Sequence, residues 1–249
     1  MLVKNIKIKS LLNILSIAIA FNSVVGAAIP VNARPNSDRD RNNRETVTIT
    51  NNGLPSHRRD GGTRGNCLVD SREFVALVPN TAVTQTASLN PQLYFHVPQT
   101  ERSQTIEFVL RDRQDRLIYE TFIETEGRSG IMSIEIPLAA VNQAKLANSG
   151  TNYHWYLSNI CNPEKRSQDI VLQGWIERVE LSKKTQEKLE KLSPTEQANF
   201  YQQQGIWHDA LDITAISLKT KPENSSQTKW SEILKAIGLN ELVDKPLID

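Results

Sequence analysis

The sequence predicts an antiparallel β-sandwich followed by a small helical tail, both carried behind an export signal. Three observations predict this. Short period-two apolar runs closed by proline fill residues 67–181, a lysine- and glutamate-rich stretch with helical spacing fills 182–249, and a basic start followed by a charge-free apolar stretch opens the chain. With 39% hydrophobic and 23% charged residues and only 11 Gly and 11 Pro, collagen-like, low-complexity and wholly disordered classes are excluded. The formal charge of +1 is uneven: residues 1–33 carry three lysines and no acid, which leaves 26 basic and 28 acidic groups, net −2, in the other 216 residues. A chain so balanced has no whole-molecule reason to bind nucleic acid or an anionic membrane.

Residues 1–33 read as a signal peptide. Lys4, Lys7 and Lys9 form the positive region, Leu11 to Ala28 form a mostly apolar stretch, and Val31-Asn32-Ala33 supplies small residues for cleavage after Ala33, with Val25-Gly26-Ala27 as a second candidate. The competing reading is an uncleaved anchor, against which Asn13, Ser16, Asn22 and Ser23 lower the hydrophobicity. The first cysteine, Cys67, lies far beyond the apolar stretch, so there is no lipobox. The expectation is an exported protein, periplasmic or extracellular, not a lipoprotein, with no membrane insertion after signal cleavage.

Residues 34–66 form the next segment. Positions 34–65 hold seven arginines against four acids with little apolar content, which predicts a flexible arm. Within it, Arg58, Arg59 and Arg64 among glycines could cradle an anion, although a solvated tether explains the same composition. No Gly-Lys-Ser/Thr follows, so this is not a phosphate loop of the Walker kind.

From Leu68 the pattern changes. Leu93, Phe95 and Val97 alternate with Tyr94 and His96; Ile106, Phe108 and Leu110 with Glu107 and Val109; Met132, Ile134 and Ile136 with Ser133 and Glu135; Tyr153, Trp155 and Leu157 with His154 and Tyr156. Period-two spacing places each first set on one face of a sheet. Pro79, Pro98 and Pro137 close runs, and Gln114-Asp115 and Gly127 to Gly130 are expected hairpin loops. About seven strands at this spacing predict an antiparallel sandwich of the immunoglobulin or fibronectin kind over 67–181.

In 182–249, Thr185, Leu189 and Leu192 share a helical face, and Ser193-Pro194-Thr195-Glu196 is a helix start with a capping box. Gly205 ends that helix. Phe200 and Tyr201 before it, and Trp207, Ala210, Leu211 and Leu218 after it, lead to Pro222, and a last helix is expected around Thr228–Ile237, stopped by Gly238. The spacing of aromatic, glycine, aromatic, alanine and proline resembles a single tetratricopeptide repeat. One such unit cannot bury its apolar face alone, so the tail is expected to pack on the sandwich.

A wider resemblance runs from Gly61 to Val243. The segments Gly61-Gly62-Thr63-Arg64-Gly65-Asn66-Cys67, Leu77-Val78-Pro79, Leu93-Tyr94-Phe95-His96-Val97-Pro98, Tyr153-His154-Trp155, Cys161, Gly174-Trp175-Ile176-Glu177-Arg178-Val179, Gly205-Ile206-Trp207-His208-Asp209-Ala210-Leu211 and Trp230 follow in order. In these the chain resembles the cyanobacterial domain-of-unknown-function family 928. The resemblance implies a cyanobacterial envelope protein and, by the family's own name, no established activity.

Few residues suggest chemistry. Tyr94, His96, His154 and Tyr156 fall on the outward faces of their strands, and would form a patch suited to a sugar or peptide if those strands were neighbours; ordinary cross-strand packing is the plainer reading. His208 beside Asp209 is half of a catalytic dyad, but adjacent helix positions point about 100° apart, and a first-turn aspartate complementing the helix dipole accounts for it as well. No metal spacing and no nucleophile elbow occur, so no cofactor is expected. Trp155, Trp175, Trp207 and Trp230 read as core anchors. Cys67 and Cys161, the only cysteines, are expected to form a disulfide in an oxidising compartment, with two buried thiols as the rival. The leading functional expectation is a non-enzymatic interaction module, an adaptor or assembly factor with an envelope protein partner. The second is a carbohydrate- or peptidoglycan-binding protein using the Tyr/His face, and the third a hydrolase with a site near His208.

Overall fold

The computed structural model describes residues 56–59, 68, 70–138 and 150–248. The predicted signal peptide, most of the predicted arm including Arg64, and Cys67 lie outside the described residues.

Among the described residues, eight strands make two sheets. In chain order they are β1 (Val75–Ala76), β2 (Val83–Thr86), β3 (Gln92–Val97), β4 (Thr105–Arg111), β5 (Leu117–Glu124), β6 (Gly130–Glu135), β7 (Asn152–Ile160) and β8 (Ile170–Arg178). Four helices follow: α1 (Lys183–Leu189), α2 (Pro194–Gln203), α3 (Trp207–Thr220) and α4 (Asn224–Ala236). The three-stranded sheet has the order β1-β3-β6 and the five-stranded sheet the order β2-β8-β7-β4-β5.

The alternating residues build the core between the sheets. Leu93, Phe95 and Val97 of β3 and Met132 and Ile134 of β6 meet Ile106, Phe108 and Leu110 of β4, Tyr153, Trp155 and Leu157 of β7, and Ile170, Leu172 and Ile176 of β8. The indole of Trp155 lies against the backbone of its cross-strand partner Gly174, where an added Cβ would come within 2.5 Å of the ring. Glycine is required there because the ring occupies the space a side chain would take.

Two strand expectations are corrected. The sheet is not wholly antiparallel: β2 runs parallel to β8, with Val83 opposite Trp175 and Thr86 opposite Arg178. A parallel pair joins strands far apart in the chain, so no local turn signals it. Gln114-Asp115 does turn a hairpin between β4 and β5, with Asp115 at φ 61°. Gly127 to Gly130, by contrast, makes no hairpin within a sheet. It carries the chain from β5 across to β6 in the other sheet.

The helices start and stop where local chemistry directs. Ser193 caps α2, accepting from the Glu196 amide, while Glu196 accepts from the Ser193 amide at 2.8 Å and Pro194 occupies the first turn. Gly205, at φ +74°, reverses the chain into α3. Ala198 of α2 and Ala210 of α3 are both fully buried, and the absence of bulk there lets these neighbouring helices pack together.

The tail forms a second apolar cluster with the outer side of the three-stranded sheet. Val75, Leu77, Tyr94 and Ile131 from the strands pack with Leu211, Trp230, Ile233 and Leu234 from α3 and α4. This sheet is therefore buried on both faces, and every residue from Leu93 to Val97 is buried.

Candidate functional site

The predicted Tyr/His patch required β3 and β7 to be neighbours. They lie in different sheets, so the four residues do not meet. Tyr94 and His96 lie on the helix-covered face, 5% and 1% exposed. The Tyr94 hydroxyl donates to Asp212 Oδ1 at 2.8 Å, and its ring meets Trp230 edge-on with centroids 6.2 Å apart. His96 Nδ1 donates to the Glu73 carbonyl at 2.7 Å, and burial lowers the imidazole's pKa. Neither is available to a sugar.

His154 and Tyr156 lie on the outer side of the five-stranded sheet. The His154 ring stacks on Trp175 at 4.3 Å and 15°, and touches Tyr156 at 4.2 Å. Its Nε2 is 3.0 Å from Gln173 Oε1 and its Nδ1 2.9 Å from the Tyr156 hydroxyl. Since Oε1 can only accept, Nε2 carries the proton and Nδ1 accepts from the phenol. Burial is the main cause that lowers the His154 pKa, which keeps the ring neutral.

The predicted anion cradle is not assembled by the arginines that are described. Arg58 Nη1 donates to the carbonyls of Val78 at 2.8 Å and Ile237 at 2.5 Å, tying the sandwich to the end of α4. Arg59 pairs with Glu241 and donates to the Arg72 carbonyl at 2.8 Å. His57 exchanges backbone hydrogen bonds with Gln173 of β8. Residues 56–59 thus stand in the fold, a correction to the flexible arm at those positions. The arginine donors meet carbonyls that would otherwise be left unpaired.

His208 and Asp209 sit at the junction of α3 with the strands, and they do not bond to each other. His208 is 2% exposed, with Nε2 2.8 Å from Thr84 Oγ1 and Nδ1 3.2 Å from the Gln92 carbonyl. The Gln92 carbonyl can only accept, so Nδ1 carries a proton, and the single Thr84 hydroxyl hydrogen is shared between Nε2 and the Trp175 carbonyl, 3.0 Å from Oγ1. Burial pushes the pKa down to about 4. Asp209 Oδ2 accepts from Thr86 Oγ1 at 2.8 Å and the Ala87 amide at 3.0 Å, and burial pushes its carboxyl up to about 6. These are polar pins that seat α3 on β2 and β3. Both imidazole nitrogens are engaged within the fold, which gives a hydrolytic reading no base facing a substrate.

The outer side of the five-stranded sheet remains. Its register sets three rows across the strands: Leu117–Arg111–His154–Trp175, Glu120–Val109–Tyr156–Gln173, and Phe122–Glu107–Ser158–Val171. Leu117, Phe122 and Val171 are 53%, 54% and 38% exposed. His154 and Trp175 stack on each other, and both are buried, as is Val109. Charge enters the face on β4, with Arg111 between Leu117 and His154 and Glu107 between Phe122 and Ser158. Arg166 binds Glu107 and Asp169, each at 2.5 Å, and these carboxylates hold its proton above the ordinary guanidinium range. Strand β5, with exposed Glu120 beside Phe122, is the edge of this sheet among the described residues. Exposed apolar side chains, charged groups among them and a sheet edge make this the candidate functional site.

Residues 59–247 match the family described as Domain of Unknown Function (DUF928). The chain belongs to this family. The DUF928 match takes in both sheets and all four helices, from Arg59 beside β1 to Leu247, which bridges to Ile131 of β6. No curated protein matches the chain in sequence. No helix among the described residues is long and apolar enough to cross a membrane, and no group of three His, Cys, Asp or Glu side chains among them could hold a metal ion.

Leu117, Phe122 and Val171 of this DUF928 chain escaped the sequence reading. The signal for β5 was present: Leu117-Ile118-Tyr119-Glu120-Thr121-Phe122-Ile123-Glu124 carries apolar residues at both parities, more than a strand with one buried face needs. Asp212, which anchors Tyr94, had no signal at all, because 118 positions separate the partners.

Proposed function

We propose that the protein is an exported, non-enzymatic interaction module of the cell envelope, an adaptor or assembly factor. Its partner is a protein that docks on the outer face and β5 edge of the five-stranded sheet. The observation that carries this reading is the exposure of Leu117, Phe122 and Val171 around a packed aromatic centre on a sheet with an open edge. A strand from a partner can extend such an edge through backbone hydrogen bonds, and the alternating Glu120, Phe122 and Glu124 suit one that alternates basic and apolar residues. A shallow sheet face offers a sugar no enclosing walls, which favours a protein partner. Export rests on Lys4, Lys7, Lys9 and the apolar stretch up to Ala28.

The sandwich itself reads as immunoglobulin-like. Lettered in chain order, β1-β3-β6 correspond to A-B-E and β2-β8-β7-β4-β5 to A′-G-F-C-C′, with the first strand divided between the sheets. It departs from that pattern in carrying its buried Trp155 on the F-like strand rather than on C. The α2–α3 pair reads as one tetratricopeptide-like unit, on the buried Ala210 and the Gly205 turn. A Cys67–Cys161 disulfide fits this reading, with Cys161 just beyond β7; closing a loop of that length stabilises by roughly 4–5 kcal/mol in the chain-entropy account. No free thiols in unreduced, denatured monomer is the expected count, and two would remove the bridge.

The function is tested by affinity capture from envelope extract with the exported protein and a Phe122→Glu variant. One stoichiometric protein partner, lost in the variant while its melting temperature is unchanged, is the expected result. Capture that survives Phe122→Glu overturns this surface, and no partner in any extract overturns the module.

A further inference from the structure

A second feature lies apart from the open sheet face. Where β8 ends, α1, α2 and α3 and the loop after β2 enclose a cleft of about 510 Å³, within the range of about 300–1,000 Å³ usual for small-molecule sites. Its lining is polar and is built rather than incidental. Gln186 of α1 donates its Nε2 to the Leu181 carbonyl at 3.0 Å, and Gln197 of α2 donates its Nε2 to the Leu192 carbonyl at 2.9 Å. Each carboxamide is thereby held with its oxygen spare. Asp209 of α3 receives both the Thr86 hydroxyl and the Ala87 amide on Oδ2, and lines the same cleft. Tyr201 adds a half-buried ring and a hydroxyl, and Arg178 a guanidinium.

We propose that this cleft binds a short neutral saccharide. Planar carboxamide and carboxylate groups are suited to the adjacent hydroxyls of a sugar, which present several donors on one small ligand. Tyr201 supplies a platform for the apolar face of the ring. An apolar ligand would strand these acceptors without partners. Arg178 shares the space with Asp209 and Glu190, so a cation is the competing occupant. The site is separate from the proposed docking surface: no residue of the β5 edge lines it.

Saturation-transfer NMR on the intact protein tests this, with maltotriose, cellotriose and triacetylchitotriose as probes and putrescine as the cationic control. The expected result is saturable binding of at least one trisaccharide. Gln197→Ala and Asp209→Asn should each weaken it about ten-fold, the loss of one good hydrogen bond. Gln186→Ala, on the exposed side of α1, gives a third reading that leaves the core untouched. No binding of any trisaccharide, binding undiminished in all three variants, or saturable binding of putrescine alone would overturn the proposal. Phe122→Glu should leave sugar binding intact and Gln186→Ala should leave protein capture intact, so each idea can fail without the other.

Discussion

The outer faces of the two sheets start from the same kind of sequence and end in opposite states. In β3 the residues facing away from the sandwich core are Tyr94 and His96; in β7 they are His154 and Tyr156. Tyr94 lies under α3 and α4, bonded to Asp212 and packed on Trp230, and His96 is buried with Nδ1 on the Glu73 carbonyl. Among the described residues the second pair packs with its own sheet neighbours, His154 being sandwiched between Tyr156 and Trp175. A helix-covered face contributes to folding, whereas the other leaves Leu117 and Phe122 exposed, the surface that the proposed docking would use.

The largest expected effect separates these faces by stability. Trp230→Ala removes a fully buried indole from the tail cluster and should cost about 3–5 kcal/mol. Phe122→Ala, on the open face, should cost less than about 1 kcal/mol. Denaturant melts of both variants check this, and similar losses would dissolve the distinction.

The junction beneath the covered face should also respond to pH. Asp209, with its carboxyl raised to about 6, is stabilised when protonated, so its contribution is present at low pH and is lost as pH rises through 6. His208, lowered to about 4, acts in the opposite sense and loses its contribution as pH falls through 4. Asp212, raised chiefly by burial, adds to the Asp209 side. Between these limits the groups largely offset one another. Asp209→Asn should therefore gain on the wild type above pH 6, by up to roughly 3 kcal/mol, and the gain should vanish towards pH 4. A pH-independent difference in melting temperature would mean that the carboxyl is not held as described.

A smaller contrast lies in the two tyrosines. Tyr94→Phe leaves Asp212 without its donor and should cost about 1–2 kcal/mol. Tyr156→Phe leaves a neutral imidazole nitrogen without its donor, where Tyr94→Phe strands a carboxylate, and should cost less. Equal losses in the two melts would argue against different surroundings.

What could be read from the sequence follows the range of each interaction. The Ser193–Glu196 capping box and the Gly205 turn were legible, because their partners lie within a few residues. So was the inward set of each strand, since alternation alone fixes which side chains share a face. The outward set was not. Period two is the same whether the other face meets water or a helix more than a hundred residues later, and that ambiguity placed Tyr94 and His96 in a patch they do not join. The parallel β2–β8 pair and the His208–Thr84 contact were hidden for the same reason, as was the crossing of the chain between sheets at Gly127 to Gly130. At the open face, His154 and Tyr156 were legible, whereas Leu117, Phe122 and Val171 became meaningful only with the register.

Hydroxyl-radical footprinting read by mass spectrometry tests the central contrast most directly, because it reports both faces in one sample. In the isolated protein Phe122 should be oxidised readily and Tyr94 hardly at all. In envelope extract containing the partner, Phe122 should become protected while Tyr94 stays as it was. Ready oxidation of Tyr94, or a Phe122 signal unchanged by a bound partner, would contradict the account.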